Sequence, residues 1–242
     1  LFIFGLKQLG SPETAQRGNL ISSSGMLLAV LVTLISNQII SYEWLVIGLV
    51  LGTLVGASAA SFVKMTSMPE LVALFNGFGG IASLLVGSAE YLGTGSLGLI
   101  SLTAIFLTLI IGGITFSGSL VAYGKLSEIL PGRQITFKGQ RIVLVAIFIA
   151  ALLFGAQLIF NFQMAEGWNP LFSFLLLISF SLVIGLLITL PIGGADMPVI
   201  IALLNSYSGL AASAAGFVIN NNVLIVAGAL AVSYTHLTLP TI

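Results

Sequence analysis

Long unbroken apolar runs, separated by short polar stretches, organise this chain from end to end. Nine apolar segments can be marked, at approximately 1–9, 19–37, 43–63, 68–89, 97–125, 138–160, 168–190, 197–219 and 223–232. About 20 helical residues cross the hydrocarbon core of a bilayer, and the inner segments reach that length. The first and last are expected to be truncated spans. The fifth is long enough to tilt or to extend beyond the membrane. A barrel strand would alternate apolar and polar residues over about ten positions. These runs do not alternate, so the pattern predicts helices: an all-α integral membrane protein with a bundle of about nine transmembrane helices.

Composition agrees. Hydrophobic residues make up 58% of the 242 and charged residues 6%, with a mean hydropathy of +1.18. A soluble domain needs about 25% charged residues to cover its surface. Lipid suits this chain as a solvent, and there only helices and closed barrels satisfy their own backbone. The net charge is zero, which leaves no basic footprint for nucleic acid. There is no cysteine, hence no thiolate metal site.

The charges alternate along the loops. Lys7 and Arg17 fall in the first loop, Lys64 in the third, and Lys125, Arg133, Lys138 and Arg141 in or beside the fifth. These are all seven basic residues, and the even-numbered loops have none. One side of the membrane therefore carries every Lys and Arg, and the positive-inside rule makes it cytoplasmic. The chain is expected to start outside and to end in the cytoplasm.

The fourth and eighth segments repeat each other at an offset of 129 residues. Met68, Pro69, Ala73, Leu74, Asn76, Gly80, Ala82 and Gly87 align with Met197, Pro198, Ala202, Leu203, Asn205, Gly209, Ala211 and Gly216. Both segments would run in the same direction, forming a parallel internal repeat as in some transporters. Asn76, Gly80, Ser83 and Gly87 share one helical face, and Asn205, Gly209, Ala212 and Gly216 share another. The glycines allow close helix packing. Two readings fit the asparagines: interhelical glue, or a polar path through the membrane.

Pro69 and Pro198 suit a first helical turn, which has no use for their missing N–H. Glu70 and Asp196 sit at the same helix starts, where a carboxylate favours the positive dipole end. Asp196 also follows Gly193-Gly194-Ala195 in a loop without a basic residue, which allows a gating or interdomain role. In the fifth segment, Gly113 and Ser117, and Gly118 and Ala122, fit small-residue helix contacts. Thr115, Ser117 and Ser119 either bond back to helix carbonyls or line a wet path.

Both ends are unusual. The chain opens on Leu1 inside an apolar run, so its start is expected to be missing. Residues 232–242 resemble the translation of a transposon adapter used in DNA library preparation, and are expected to be a read-through scar on a domain spanning 1–231. The single histidine, His236, lies in that segment and is given no proton-relay role.

The strings at 68–80, 118–126, 193–199 and 203–209 resemble the β subunit of proton-translocating NAD(P) transhydrogenase, and the resemblance covers the chain up to residue 231. It implies hydride transfer from NADH to NADP+ coupled to inward proton movement. It implies a partner α subunit that binds NAD(H) and supplies further membrane helices, and a dimer of the whole complex. It places the protein in the cell inner (plasma) membrane. The family's cytoplasmic NADP(H)-binding domain is expected to be missing here. With no G-x-G-x-x-G after a strand, the chain is expected to bind no cofactor and to be inactive alone. Asn205 matches a family Asn implicated in proton conduction, and Asp196 a family Asp near the cytoplasmic mouth. Asn76 matches a position where some bacterial members have His. Asn does not titrate near neutral pH, so the titrating group is expected from the partner's helices. Ser117, Ser119, Ser206 and Ser208 are candidate water contacts beside the two asparagines. The rival readings are a secondary transporter of a small solute and a purely structural membrane subunit.

Overall fold

The computed structural model describes residues 1–9, 11–36, 42–93, 97–160 and 169–238. Among them are nine α-helices: α1 (Phe2–Leu9), α2 (Pro12–Ser36), α3 (Tyr42–Phe62), α4 (Met68–Leu92), α5 (Leu99–Leu126), α6 (Gln140–Phe160), α7 (Pro170–Thr189), α8 (Met197–Val218) and α9 (Asn222–Thr238). No strand is present among the described residues. Five helices are long and apolar enough to cross a membrane: α4, α5, α6, α7 and α8 with its leading turn from Gly194. The apolar parts of α3 and α9, Val46–Ala59 and Asn222–Val232, are shorter.

The chain divides into two compact units, Leu1–Phe62 and Val63–Ile242. In the first, α1 packs on α2. A methyl group at Gly5 would meet the Gly18 carbonyl oxygen at 2.8 Å, so only glycine permits that approach. The Thr14 hydroxyl donates to the Gln8 carbonyl at 2.6 Å and ties the turn between them. On α3, Gly48, Gly52 and Gly56 have open space beside each Cα.

In the second unit α5 is central, packed against α4, α7 and α8. Its three consecutive residues 117–119 show how. Ser117 abuts Gly185 of α7, Gly118 lies against Thr189 of α7 and Leu204 of α8, and Ser119 lies against Gly77 of α4. Successive helical residues point about 100° apart, so three small residues admit three neighbours at one level. The main core collects Leu84, Ile105, Leu109, Phe174, Leu177 and Ile184, and a smaller cluster holds Ala73, Ala122, Met197 and Ile201. Tyr91 stacks on Phe174 with ring centroids 4.6 Å apart.

The contacts also give helix directions. Gly77, Gly80 and Gly87 of α4 meet Ser119, Phe116 and Thr108 of α5 in descending order, so α4 and α5 are antiparallel. Gly113, Ser117 and Gly118 meet Ser181, Gly185 and Thr189 in ascending order, so α5 and α7 are parallel. The starts of α4 and α8 consequently lie at one end, with the ends of α5 and α7. Lys64, Lys125, Arg133, Lys138 and Arg141, all the basic residues of this unit, lie at that same end. Along α5 no residue is charged until Lys125, one residue before the helix ends.

Candidate functional site: a polar chain across three helices

The repeat places Asn76 and Asn205 at the same depth, eight residues beyond the first residue of α4 and of α8. At 1.5 Å per residue that is about 12 Å in from the basic end. Asn76 is buried against α5. Its amide Nδ2 donates to Ser119 Oγ at 2.9 Å, and Ser119 is fully buried. From the other side, Ser208 Oγ donates to the Asn76 backbone carbonyl at 3.3 Å. A hydrogen-bonded chain thus runs from α8 through α4 to α5. A buried amide satisfied in this way orders its neighbours, since leaving it unpaired would cost about 1–3 kcal/mol.

The glycine stripes below the two asparagines face different helices. Gly80 lies backbone to backbone on Gly112 of α5: a methyl group on either would come within 2.9 Å of the other's carbonyl oxygen. Gly87 sits against Thr108. Gly209 and Gly216 instead face Gly228 and Ile225 of α9. The repeat is therefore one of hairpins, α4–α5 and α8–α9, each closed by glycine on glycine. Asn205 follows its stripe and is exposed on α8. Ser208, three residues further along α8, reaches the Asn76 backbone carbonyl.

The remaining candidates divide by partner. Ser117 donates back to the Gly113 carbonyl at 3.0 Å, the local bond open to any helical serine. Ser206 is 2% exposed, and its hydroxyl has no hydrogen-bond partner among the described residues. Thr189, on α7 beside Gly118, is likewise buried, and its hydroxyl has no partner among the described residues. Sequence reading passed over Thr189 because it closes an apolar run and looks like a helix end. It also passed over Gln157, a buried amide on α6 whose Oε1 has no partner; a lone amide in a long apolar run was the available signal.

The basic end is a second polar centre. Lys125 is 3% exposed, and its ammonium donates to the carbonyls of Leu190 and Ile192, both at 2.6 Å, and of Arg133 at 3.3 Å. Gly194 N–H donates to the Gly132 carbonyl at 2.7 Å, and Ile135 N–H to Leu190 at 3.1 Å. The α5–α6 and α7–α8 connections are thereby bound into one layer. Asp196 caps the start of α8, is exposed, and its side chain makes no capping bond. Glu70 is half-buried in the first turn of α4. Among the described residues no three His, Cys, Asp or Glu side chains come together as a metal site.

Comparison with known proteins decides the family. The family model of the NAD(P) transhydrogenase beta subunit matches residues 1–239. The chain belongs to that family. It is 41% identical over 238 residues to the NAD(P) transhydrogenase subunit beta of Rhodospirillum rubrum, covering 95% of this chain and 50% of the relative. The same-named protein of a defined strain of that organism matches with the same figures. The chain spans about half the length of these transhydrogenase subunits. The matched part includes both halves of the repeat, the Gly193–Asp196 turn and the Asn76–Ser119–Ser208 chain.

Proposed function

We propose that this chain forms the membrane part of a proton-translocating NAD(P) transhydrogenase, coupling inward proton movement to hydride transfer from NADH to NADP+. The observation that carries the reading is the polar chain Ser208–Asn76–Ser119, about 12 Å in from the basic end, on helices α4, α5 and α8 whose charged residues lie only in their first or last turns. Polar groups at that depth cost free energy and mark ion or proton routes. Neither amide nor hydroxyl holds an extra proton near neutral pH. These residues therefore order water and hand on hydrogen bonds, and Asn205, exposed on α8, faces the remaining wall of the route. The group that takes and releases the proton comes from helices of an α subunit, which also binds NAD(H).

The nucleotides are held elsewhere in this reading. The glycine-rich turn 193–194 follows a helix rather than a strand, and it leads to Asp196, whose carboxylate would repel a phosphate. The basic end faces the cytoplasm, as the positive-inside rule directs, and the layer built by Lys125 meets the NADP(H)-binding domain there. Asp196 and Glu70 stand at that face as the coupling carboxylates. Residues 1–231 are the membrane domain in this account. Family membership speaks against a solute transporter or a purely structural subunit.

The test is reconstitution of the chain in its whole assembly into vesicles, with proton uptake and hydride transfer measured together. Asn205→Leu should abolish proton-coupled turnover while hydride transfer between bound nucleotides persists. Full proton-coupled activity in Asn205→Leu would overturn the reading.

A further inference from the structure

The side of the bundle between α6 and α8 is not closed. A cavity of about 460 Å³ lies there, lined by Ile114, Leu144, Phe148, Ile184, Ile188 and Leu210 among others. A second, of about 740 Å³, adjoins it at the basic end and is lined by Gln134, Thr136, Gln140 and Arg141 among others. Leu144 and Ile188 line both, so the two form one cleft. From Arg141 at the start of α6 the cleft reaches Leu210, thirteen residues into α8, roughly 20 Å along the membrane normal at 1.5 Å per residue. Its inner part is apolar and its mouth is polar and cationic.

Charge is one-sided at the mouth. Arg141 lines it and is exposed; Arg133 and Lys138, also exposed, are chain neighbours of the lining residues Gln134, Phe137 and Gly139, and Glu128 is the one carboxylate of the α5–α6 connection. The first-turn amides of α6 open on the same mouth and add their positive dipole end. The inner volume also limits the occupant. A single flexible chain fits it, and the volume lies within the range of small-molecule sites, about 300–1,000 Å³.

We propose that this cleft binds one anionic phospholipid, with an acyl chain between α6 and α8 and the phosphate at Arg141 and Lys138. Neutral lipid would gain the apolar contacts without the ionic ones. Each basic residue near an anionic headgroup contributes about 1 kcal/mol. Removing both cations should thus weaken binding about 30-fold.

The full chain, extracted with its associated subunits in mild detergent, is the material for the test. Native mass spectrometry after equilibration with phosphatidylglycerol and phosphatidylcholine of identical chains should show selective retention of phosphatidylglycerol. Thermal stability should rise with phosphatidylglycerol, but not with phosphatidylcholine or inorganic phosphate. The double variant Arg141→Gln, Lys138→Gln, whose sites are exposed and so leave the fold intact, should lose both effects. Leu144→Trp should block the cleft and lose them too. Unchanged selectivity in the double variant would overturn the proposal. So would loss of an associated subunit from Leu144→Trp with lipid retention unchanged, because a protein segment would then be the occupant.

Discussion

The ammonium of Lys125, at the end of α5, donates to the carbonyl of Leu190, at the end of α7, across 2.6 Å. Helix ends leave their last carbonyls without intrahelical donors. One buried cation meets that need for Leu190 and Ile192 and draws in Arg133 as well. Lys125→Met should remove this donor from all three carbonyls, leaving Leu190 with the Ile135 N–H alone, lower stability by about 2–4 kcal/mol, and loosen the Gly193–Asp196 turn. Lys125→Arg should not restore it, because a planar guanidinium cannot aim three donors from a point as an ammonium does. Denaturant unfolding of both variants in detergent checks the first claim, and protease cleavage within 190–196 checks the second.

A neighbouring carbonyl has a different supporter. Leu187 O would accept from the residue four positions on, but that residue is Pro191, which has no N–H. Gln140 Nε2 donates to Leu187 O instead, at 2.9 Å. Gln140→Leu should cost about 1–3 kcal/mol. In a Pro191→Ala background, where an N–H is available, it should cost less. A double-mutant cycle on thermal unfolding measures the difference, expected at about 0.5 kcal/mol or more.

Gly80 and Gly48 make a matched pair of tests. At Gly80 a methyl group would meet Phe116 N at 2.8 Å and Gly112 O at 2.9 Å, both backbone atoms that cannot step aside. Gly80→Ala should force α4 and α5 apart and cost about 1–3 kcal/mol. At Gly48 nothing lies within 4 Å. Gly48→Ala should be neutral or stabilising by up to about 1 kcal/mol, because alanine is the better helix former. Unfolding midpoints of the two variants should move in opposite directions or only one should move.

Ser206 and Asn76 separate fold from function. The buried Ser206 hydroxyl has no partner, so Ser206→Ala should leave stability unchanged or raised. If that hydroxyl serves the proton route, coupled turnover should fall while the melting temperature does not. Asn76→Ala breaks the bond to Ser119 and should lower both, the stability by about 1 kcal/mol. Asn76→His would place a titrating group with an ordinary pKa near 6.5 in the bundle. Coupled turnover should then gain a pH dependence in that region, measurable in reconstituted vesicles.

Much of the fold was legible in the chain. The boundaries of α4 to α8 lie within about three residues of the apolar runs, because a lipid-facing helix must be apolar over its whole length. The offset repeat announced two similar helices, and Pro69 and Pro198 stand at their first turns as expected. The partners of each side chain were not legible. Asn76 and Asn205 look equivalent in sequence, yet one is buried against α5 and the other exposed on α8. Ser117 and Ser119 look equivalent too, yet Ser117 bonds its own helix and Ser119 accepts from Asn76. Two positions along a helix turn a side chain by about 200°, and the neighbour on each side depends on how helices distant in sequence are placed.

The sequence by itself determined the apolar helices α4 to α8 and the charged end they share, because hydropathy and charge are local properties that lipid reads directly, and its strings at 68–80, 118–126, 193–199 and 203–209 carried the resemblance to the family. Only the tertiary structure decided that the repeat is a pair of glycine-closed hairpins, that Ser208 bonds the Asn76 carbonyl, and that Lys125 holds the end of α7. Those outcomes depend on which backbones approach within touching distance, and that is set by how α4 to α9 pack together.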